Sequence, residues 1–376
     1  MDACDLLVVG AGPAGCAAAV AARRAAPGLD VRVVDAARFP REKPCGGALT
    51  GGAQRELALA GLELRVRHAV VTHALLRVEG LARRVELPRP AAVVRRIELD
   101  HDLVLQARAA GARVDEEAPL LALEPGLART GAGPLRFRAA VAADGVGGPS
   151  RRALGLGPGR RAPLRETQLE AAGQGDLLFD LDAAGAGYAW RFPCFVEGRP
   201  AESCGVYALA GGAALTGALR EFARREGVLP AAPATPSALR LFEPGGPVGA
   251  GAALLAGDAL GADPLAGEGL RYALWSGRIA GALAARALAR GGAPSLRAYR
   301  ARLAGSRSGL LLQLTARLAP RLYAGQGRWR RAAADPRVAE ALAALVSGAA
   351  PAGPLLALTV RLAAGAPALV SRSGPA

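Results

Sequence analysis

The stretch DLLVVGAGPAG, residues 5–15, constrains the fold of this chain more than any other. Leu6 to Val9 read as a buried strand, Gly10-Ala11-Gly12-Pro13-Ala14-Gly15 as a tight turn, and the alanines beyond as a helix running to about Ala26. VRVVD, residues 31–35, is a second strand that ends in an acid. A G-x-G-x-x-G set between strand and helix, with Asp35 twenty residues beyond Gly15, is the first βαβ unit of a dinucleotide-binding fold. Gly10, Gly12 and Gly15 permit the tight turn, close approach to a pyrophosphate and tight helix packing, and the helix N-terminus receives phosphate charge. Asp35 would accept hydrogen bonds from ribose hydroxyls.

Past this unit, residues 62–95 alternate apolar and polar and read as strands outside the nucleotide core. IELDHDLVLQARAAG, residues 97–111, has apolar residues at helical spacing and ends on glycine. LRFRAAVAADGVGG, residues 135–148, is a buried strand that ends in Asp144–Gly145. Strands return over 163–243, with YAWRFP (188–193), ESCGVYAL (202–209) and a short charged helix, REFARREG (220–227). Residues 252–288 give a strand, a loop and a long helix of small residues. After Gly291 the pattern is helical, in SLRAYRARL, SGLLLQLTARLAPRL, VAEALAALV and PLLALTVRL. Gly/Pro stretches near 155–163, 229–237 and 244–251 read as linkers.

Composition narrows the function classes. The net charge is +15, and all 47 basic residues are arginine except Lys43. The arginines are scattered singly and in pairs, without the patch of interleaved aromatics a nucleic-acid surface needs, so no nucleic-acid partner is expected. Three His and five Cys, with no C-x-x-C, assemble no zinc site at recognised spacings, and no metal is expected. The odd cysteine count suits a reducing cytoplasm. Leu6 to Ala22 imitates a signal peptide but lacks a basic leading region, and its glycine pattern explains it better. The most apolar later run, LLALTVRLAAGAPALV at 355–370, is broken by Arg361, Gly365 and Pro367.

Other motifs choose the cofactor. Asp144–Gly145 and Gly257–Asp258 each close a buried strand, and Pro264 and Gly267-Glu268-Gly269 open the long helix. One glycine fingerprint with two strand-end aspartates suits a single long cofactor, and no second fingerprint marks a nicotinamide domain. With KPCGG (43–47), Arg96-Ile97-Glu98-Leu99-Asp100, YAWRFP and GDALGADPLAGEGL (257–270) in order, the chain resembles the geranylgeranyl reductase family, within the p-hydroxybenzoate-hydroxylase-like flavoproteins. The resemblance covers residues 5 to about 290, and KPCGG together with YAWRFP is its specific part.

That resemblance implies an α/β chain. A Rossmann-like FAD-binding domain is built from 1–62, 95–160 and 244–291; a β-rich substrate domain, from 63–94 and 161–243, is inserted in it; a helical region spans 292–376. Gly10, Gly12, Gly15 and Asp35 would hold the ADP half of FAD, Arg96 would reach the pyrophosphate, and Asp258 the phosphate or ribityl part. Asp144, Gly257, Pro264, Gly267 and Gly269 complete the cofactor set, the last two placing a helix N-terminus at the flavin pyrimidine edge. Tyr188, Trp190, Phe192 and Pro193 would line a cavity for an isoprenoid chain; Tyr188, Trp190 and Phe192 share one strand face. Read from spacing alone, those three are core.

The expected activity is saturation of double bonds in a geranylgeranyl or polyprenyl chain on a quinone, pigment or glycerolipid. An isolated alkene is not electrophilic, so hydride from reduced flavin needs a matching proton. A thiol is largely protonated at neutral pH, and in the family this cysteine lies beside the flavin. Cys45 is therefore the expected donor or relay, with Gly46 and Gly47 letting backbone approach the ring. Lys43 is a second catalytic candidate. Ala48 departs from a family pattern that often continues with a third glycine. An outside donor, NAD(P)H or reduced ferredoxin, is expected, as is a cytoplasmic protein with peripheral contact at the inner membrane face. Two other readings stay open: a flavin monooxygenase or halogenase acting on an aromatic or polyketide substrate, and a non-catalytic or electron-transfer flavoprotein.

Overall fold

The computed structural model describes residues 2–170, 175–209, 214–227, 234–324 and 336–346. Its centre is a six-stranded sheet in the order Gly249–Ala250, Ala253–Leu255, Ala139–Ala142, Leu6–Val9, Val31–Val34 and Arg113–Asp115. All neighbours are parallel except the outermost pair, Gly249–Ala250 with Ala253–Leu255. Leu6 to Val9 are buried on both faces, which is why this strand reads as an unbroken apolar run. The helices are α1 (Pro13–Ala25), α2 (Gly51–Ala60), α3 (Arg96–Ala109), α4 (Ser150–Ala153), α5 (Leu215–Arg225), α6 (Leu270–Ala289), α7 (Leu296–Ala304), α8 (Arg307–Ala324) and α9 (Pro336–Val346).

Helices α1 and α6 lie against each other with their backbones nearly touching. A Cβ on Gly277 would run into the Ala14 carbonyl, and one on Gly281 into the Ala18 carbonyl. Gly15 does the same toward the turn, where a Cβ would meet the Gly10 carbonyl. The small residues of both helices thus bring their N-termini to one end of the central sheet, beside the ends of Leu6–Val9 and Ala139–Ala142.

The second sheet has eight strands, in the order Thr235–Arg240, Arg161–Glu170, Arg199–Ala208, Gly187–Val196, Leu177–Asp180, His68–Val78, Leu81–Val94 and Ala48–Leu49. It is antiparallel except where Leu177–Asp180 runs parallel to His68–Val78. Period-two alternation divides its faces. Tyr188, Trp190 and Phe192 join one core with Ala319 and Tyr323 of α8, while Ala189, Cys204 and Val206 join another under Leu219 and Phe222 of α5. Asp2–Ala3, Gly133–Arg136, Leu127–Thr130 and Leu120–Glu124 form a small third sheet.

Three sequence expectations change in detail. The 135–148 strand splits: Gly133–Arg136 enters the small sheet and only Ala139–Ala142 the central one, because Phe137 and Arg138 turn the chain between them. The charged helix starts earlier, at Leu215, whose buried side chain with Leu219 and Phe222 gives it an apolar face. Ala48–Leu49, inside the 1–62 segment, pairs with Leu81–Val94 of the eight-stranded sheet. The expected PLLALTVRL helix and the 355–370 run lie outside the described residues. No helix among the described residues is long and apolar enough to cross a membrane.

Candidate functional site

The glycine turn is built as its spacing demands. Gly10 has φ +98°, and a Cβ there would stand 2.5 Å from the Ala143 carbonyl oxygen of the neighbouring strand's end. Gly12, by contrast, faces open space, with only Arg41 Nη2 at 3.6 Å from its would-be Cβ. It is the N-cap of α1 and supplies no side-chain cap, Pro13 follows, and the first turn carries no acid. The orphan N–H groups of this helix end are thus left for an anion. Asp35 accepts from Ala11 N at 2.6 Å and from Ala37 N at 2.8 Å, so it braces the turn and keeps a second lone pair on each oxygen.

These residues open one cavity of about 400 Å³ between the two large sheets. Of the residues expected at the site, Gly10, Gly12, Asp35, Lys43, Cys45, Gly46, Gly47, Arg96, Asp144, Gly257, Asp258, Tyr188, Trp190, Phe192, Gly267 and Gly269 line it. Gly15, Pro264 and Pro193 do not line it. Gly15 is spent on packing α1 against the turn. Pro193 has the opposite strand parity from Phe192 and so points away from the cleft. Pro264 contributes its carbonyl, which accepts from the Tyr207 hydroxyl at 3.0 Å.

KPCGG and YAWRFP meet. A Cβ on Gly46 would stand 3.0 Å from both the Phe192 ring and Trp190 Nε1. Gly47, at φ +72°, lies so close to Val94 that a Cβ would strike its carbonyl. The space the two glycines leave is therefore filled by the aromatic strand and by Leu81–Val94, which fixes the loop that carries Cys45. Cys45 Sγ accepts from Gly47 N at 3.4 Å. Lys43 Nζ donates to Asp258 Oδ2 at 3.4 Å, joining two residues 215 positions apart. Arg96 is no free arm: it grips buried Asp100 through two bonds of 2.7 Å, and its guanidinium also interacts with Cys45. Arg41 adds a contact to Asp100 at 3.2 Å.

The loop that opens α6 is pinned carbonyl by carbonyl. Tyr207 donates to Pro264 O, Tyr323 of α8 to Leu265 O at 2.7 Å, and Tyr188 to Ala266 O at 2.5 Å. Asp263 accepts from Leu265 N at 3.0 Å and Ala266 N at 2.9 Å. The loop ends at Glu268, whose Oε1 accepts from Thr50 Oγ1 at 2.5 Å. Burial pushes the Glu268 carboxyl up to about 7, against the opposing pull of Arg271 and the Thr50 bond. Burial likewise raises Asp144, which accepts from Ser150 N at 2.8 Å while its Oδ1 is buried with no partner. Beside the aromatic strand, on the same face of its sheet, Trp190 Nε1 donates to Ser203 Oγ at 3.3 Å, and Ser203 donates to Glu166 Oε1 at 3.3 Å. Burial pushes Glu166 up to about 7, and its carboxyl accepts from the backbone of Cys45.

Glu268, Thr50, Arg41, Asp100 and Glu166 were not among the expected site residues. Glu268 stands between two that were, and the four-residue step from Arg96 to Asp100 is visible on a helix. Thr50, Arg41 and Glu166 arrive by tertiary pairing that no local pattern marks. Among the described residues there is no group of three or more His, Cys, Asp or Glu placed to hold a metal ion.

An uncapped helix N-terminus, an open Gly12 and an unpartnered buried Asp144 oxygen in one cleft fit an elongated phosphate-bearing cofactor. Comparison with known proteins agrees. The family described as FAD binding domain matches residues 3–174. A menaquinone reductase of Mycobacterium tuberculosis (strain ATCC 25618 / H37Rv) is 34% identical over 324 residues, covering 75% of this chain and 76% of that protein. One from Mycolicibacterium smegmatis is 46% identical over 121 residues, 29% of this chain and 28% of its own. A geranylgeranyl bacteriochlorophyll reductase-like protein from Thermoplasma acidophilum superposes with a TM-score of 0.73 at 19% identity over 96% of each chain. A flavin-dependent brominase superposes at 0.68 with 18% identity, covering 92% of this chain and 94% of its own, so the fold itself is shared with halogenases. The glycine turn, the junction of KPCGG with YAWRFP and the extent of the reductase match lead to one assignment: the chain belongs to the geranylgeranyl reductase family of FAD-dependent oxidoreductases.

Proposed function

We propose that this FAD-dependent oxidoreductase saturates double bonds in a polyprenyl chain, with the side chain of a menaquinone-type quinone as the first substrate to test. The observation that carries the reading is the cleft's division into two walls. One is polar, with the α1 turn, Asp35, Lys43, Asp144 and Asp258; the other is apolar, with Leu164, Leu177, Phe179, Tyr188, Trp190, Phe192 and Leu239. The polar wall suits the cofactor. The apolar wall offers an isoprenoid area and ring faces without a hydrogen-bond demand the chain would leave unmet.

Gly10, Gly12 and the α1 N-terminus would hold the pyrophosphate, Asp35 the ribose, Asp258 the phosphate or ribityl part, and the 267–269 turn the pyrimidine edge. Bound there, FAD supplies two-electron hydride chemistry, reloaded by a nicotinamide or a ferredoxin-type donor. This chain's residues supply the rest. Gly46 and Gly47 seat the Cys45 loop on Trp190 and Phe192, Glu166 on the same sheet face holds its backbone, and Cys45 hands a proton to the substrate carbon that does not take the hydride. Trp190 and Phe192 shield that step from water. A cytoplasmic location with peripheral contact at the inner membrane face accords with so apolar a substrate.

The rival reading, a monooxygenase or halogenase, draws on the brominase likeness and on Lys43 in the cleft. Lys43 here leans on Asp258, a link that accords with a cofactor-side role. Oxygen separates the two. Turnover of prenyl quinone under strict anaerobiosis is expected, whereas turnover that requires oxygen and consumes it in step with substrate would support the rival.

A further inference from the structure

Glu268 is a carboxyl that the proposed function does not use. It lines the cleft at the N-terminus of α6, between Gly267 and Gly269. A Cβ on Gly267 would stand 3.1 Å from the Tyr188 hydroxyl, and one on Gly269 3.7 Å from Asp258 Oδ1. Thr50, the N-cap of α2 just past the Cys45 loop, donates to Glu268 Oε1 at 2.5 Å. Arg271 Nη1 stands 3.9 Å from Oε2, too far for a tight ion pair. Arg271 is itself buried and is held from behind. Its Nε donates to Ser308 Oγ at 3.3 Å, Ser308 donates to Glu56 Oε1 at 2.7 Å, and Glu56 accepts from Arg278 at 2.7 Å.

The other charged or titratable groups around Glu268 are Asp263 on its own loop, Tyr188 on the aromatic strand, Tyr272 on α6, and the Lys43–Asp258 pair beyond Gly269. Burial dominates this balance, so the acid stays in reach of neutrality (about 7) although a helix N-terminus and Arg271 favour its anion. Glu268 and Cys45 line the same cleft and flank one strand face: Gly267, next to Glu268, abuts the Tyr188 hydroxyl, and Gly46, next to Cys45, abuts Trp190 and Phe192.

We propose that Glu268 is a further catalytic acid of this site, the source of the proton that Cys45 passes to the substrate. The inference rests on the prenyl-saturating reading above. In the step, the alkene π bond breaks and two C–H bonds form. One takes the hydride from the reduced cofactor, and the other takes a proton from the Cys45 thiol. Cys45 recovers its proton as the Glu268 O–H bond breaks. Glu268 is then a carboxylate, held by the Thr50 hydroxyl and facing Arg271, until water returns a proton to it.

The test uses the purified flavin-loaded protein and two readouts. Infrared titration without substrate should show, in the wild-type-minus-Glu268→Gln difference, a carboxylic-acid C=O band that disappears as pH rises through about 7; the band of Glu166, which titrates in the same range, is common to both proteins and cancels. Anaerobic single turnover with prenyl quinone should slow as pH rises through the same value. Glu268→Gln, with flavin content unchanged, should be about 100-fold slower and lose that inflection. Cys45→Ser should be slow and keep the band. Thr50→Val removes a bond that favours the carboxylate, so both the band and the inflection should move to higher pH, and Thr50→Ser should restore them. If Glu268→Gln keeps the wild-type rate and inflection, or the difference spectrum shows no band titrating between about pH 6 and 8, Glu268 is not the proton source. A titrating difference band, with a wild-type protein that reduces no prenyl chain, supports Glu268 as a proton store and sinks the prenyl reading instead.

Discussion

Glu166 illustrates how a buried carboxyl links the site to stability. It sits on Arg161–Glu170, two strands over from Trp190 on the same sheet face, bonded to Ser203 and to the Cys45 backbone, with Glu42 and Arg95 nearby. Burial raises it from 4.5 to about 7. The folded chain therefore binds this proton more tightly than the unfolded chain does. The stability it contributes is fully present below about pH 4.5 and is lost as pH rises through about 7. Glu166→Gln should gain on the wild type by on the order of 2–3 kcal/mol between those limits. Urea midpoints at pH 5, 6, 7 and 8 check this, and parallel curves for the two proteins would refute it. Such a residue is hard to find in sequence. Gly10, Gly12 and Asp35 announce themselves because their roles are fixed by neighbours within one βαβ unit. Glu166 acquires its role only when a strand some 120 residues downstream meets the Cys45 loop.

Between elements, the close approach of α1 and α6 decides where the cleft forms. Each helix lends its N-terminal turn to the cleft, and neither end has a side-chain cap. The approach depends on Gly277 and Gly281 meeting the carbonyls of Ala14 and Ala18. Gly277→Ala should push the helices apart and cost about 1–3 kcal/mol, as over-packing does. A lowered Tm together with weakened FAD retention is the expected result, and a lowered Tm with FAD held as before would detach the cleft from this packing. The long helix of small residues was legible from 252–288, because alanine and glycine at that density suit close helix packing. Its partner was not, since small residues carry no address. The tyrosine hold on Pro264, Leu265 and Ala266 was equally hidden, for it draws on Gly187–Val196, Arg199–Ala208 and α8.

Across the whole molecule, a parallel sheet that presents helix ends faces an eight-stranded sheet that presents aromatic rings, and the Cys45 loop runs between them. The division into a cofactor part and a β-rich part was legible in outline, because the period of the apolar residues changes between the two. The short strand Ala48–Leu49 shows where that outline fails. It lies in the cofactor segment, yet it is the edge strand of the other sheet, and this crossing delivers Cys45 to the aromatic wall. The two-walled cleft underlies the central claim, that electrons enter on one side and leave into an isoprenoid on the other. A quinone ring can itself accept electrons, so loss of the oxidised quinone alone proves nothing about the tail. The direct measurement is tandem mass spectrometry of menaquinone after anaerobic turnover by the reduced, flavin-loaded protein, followed by reoxidation of the ring in air. The account predicts a gain of two mass units that fragments with the prenyl tail. An unchanged tail after reoxidation, or a product that has gained oxygen or halogen, would contradict it.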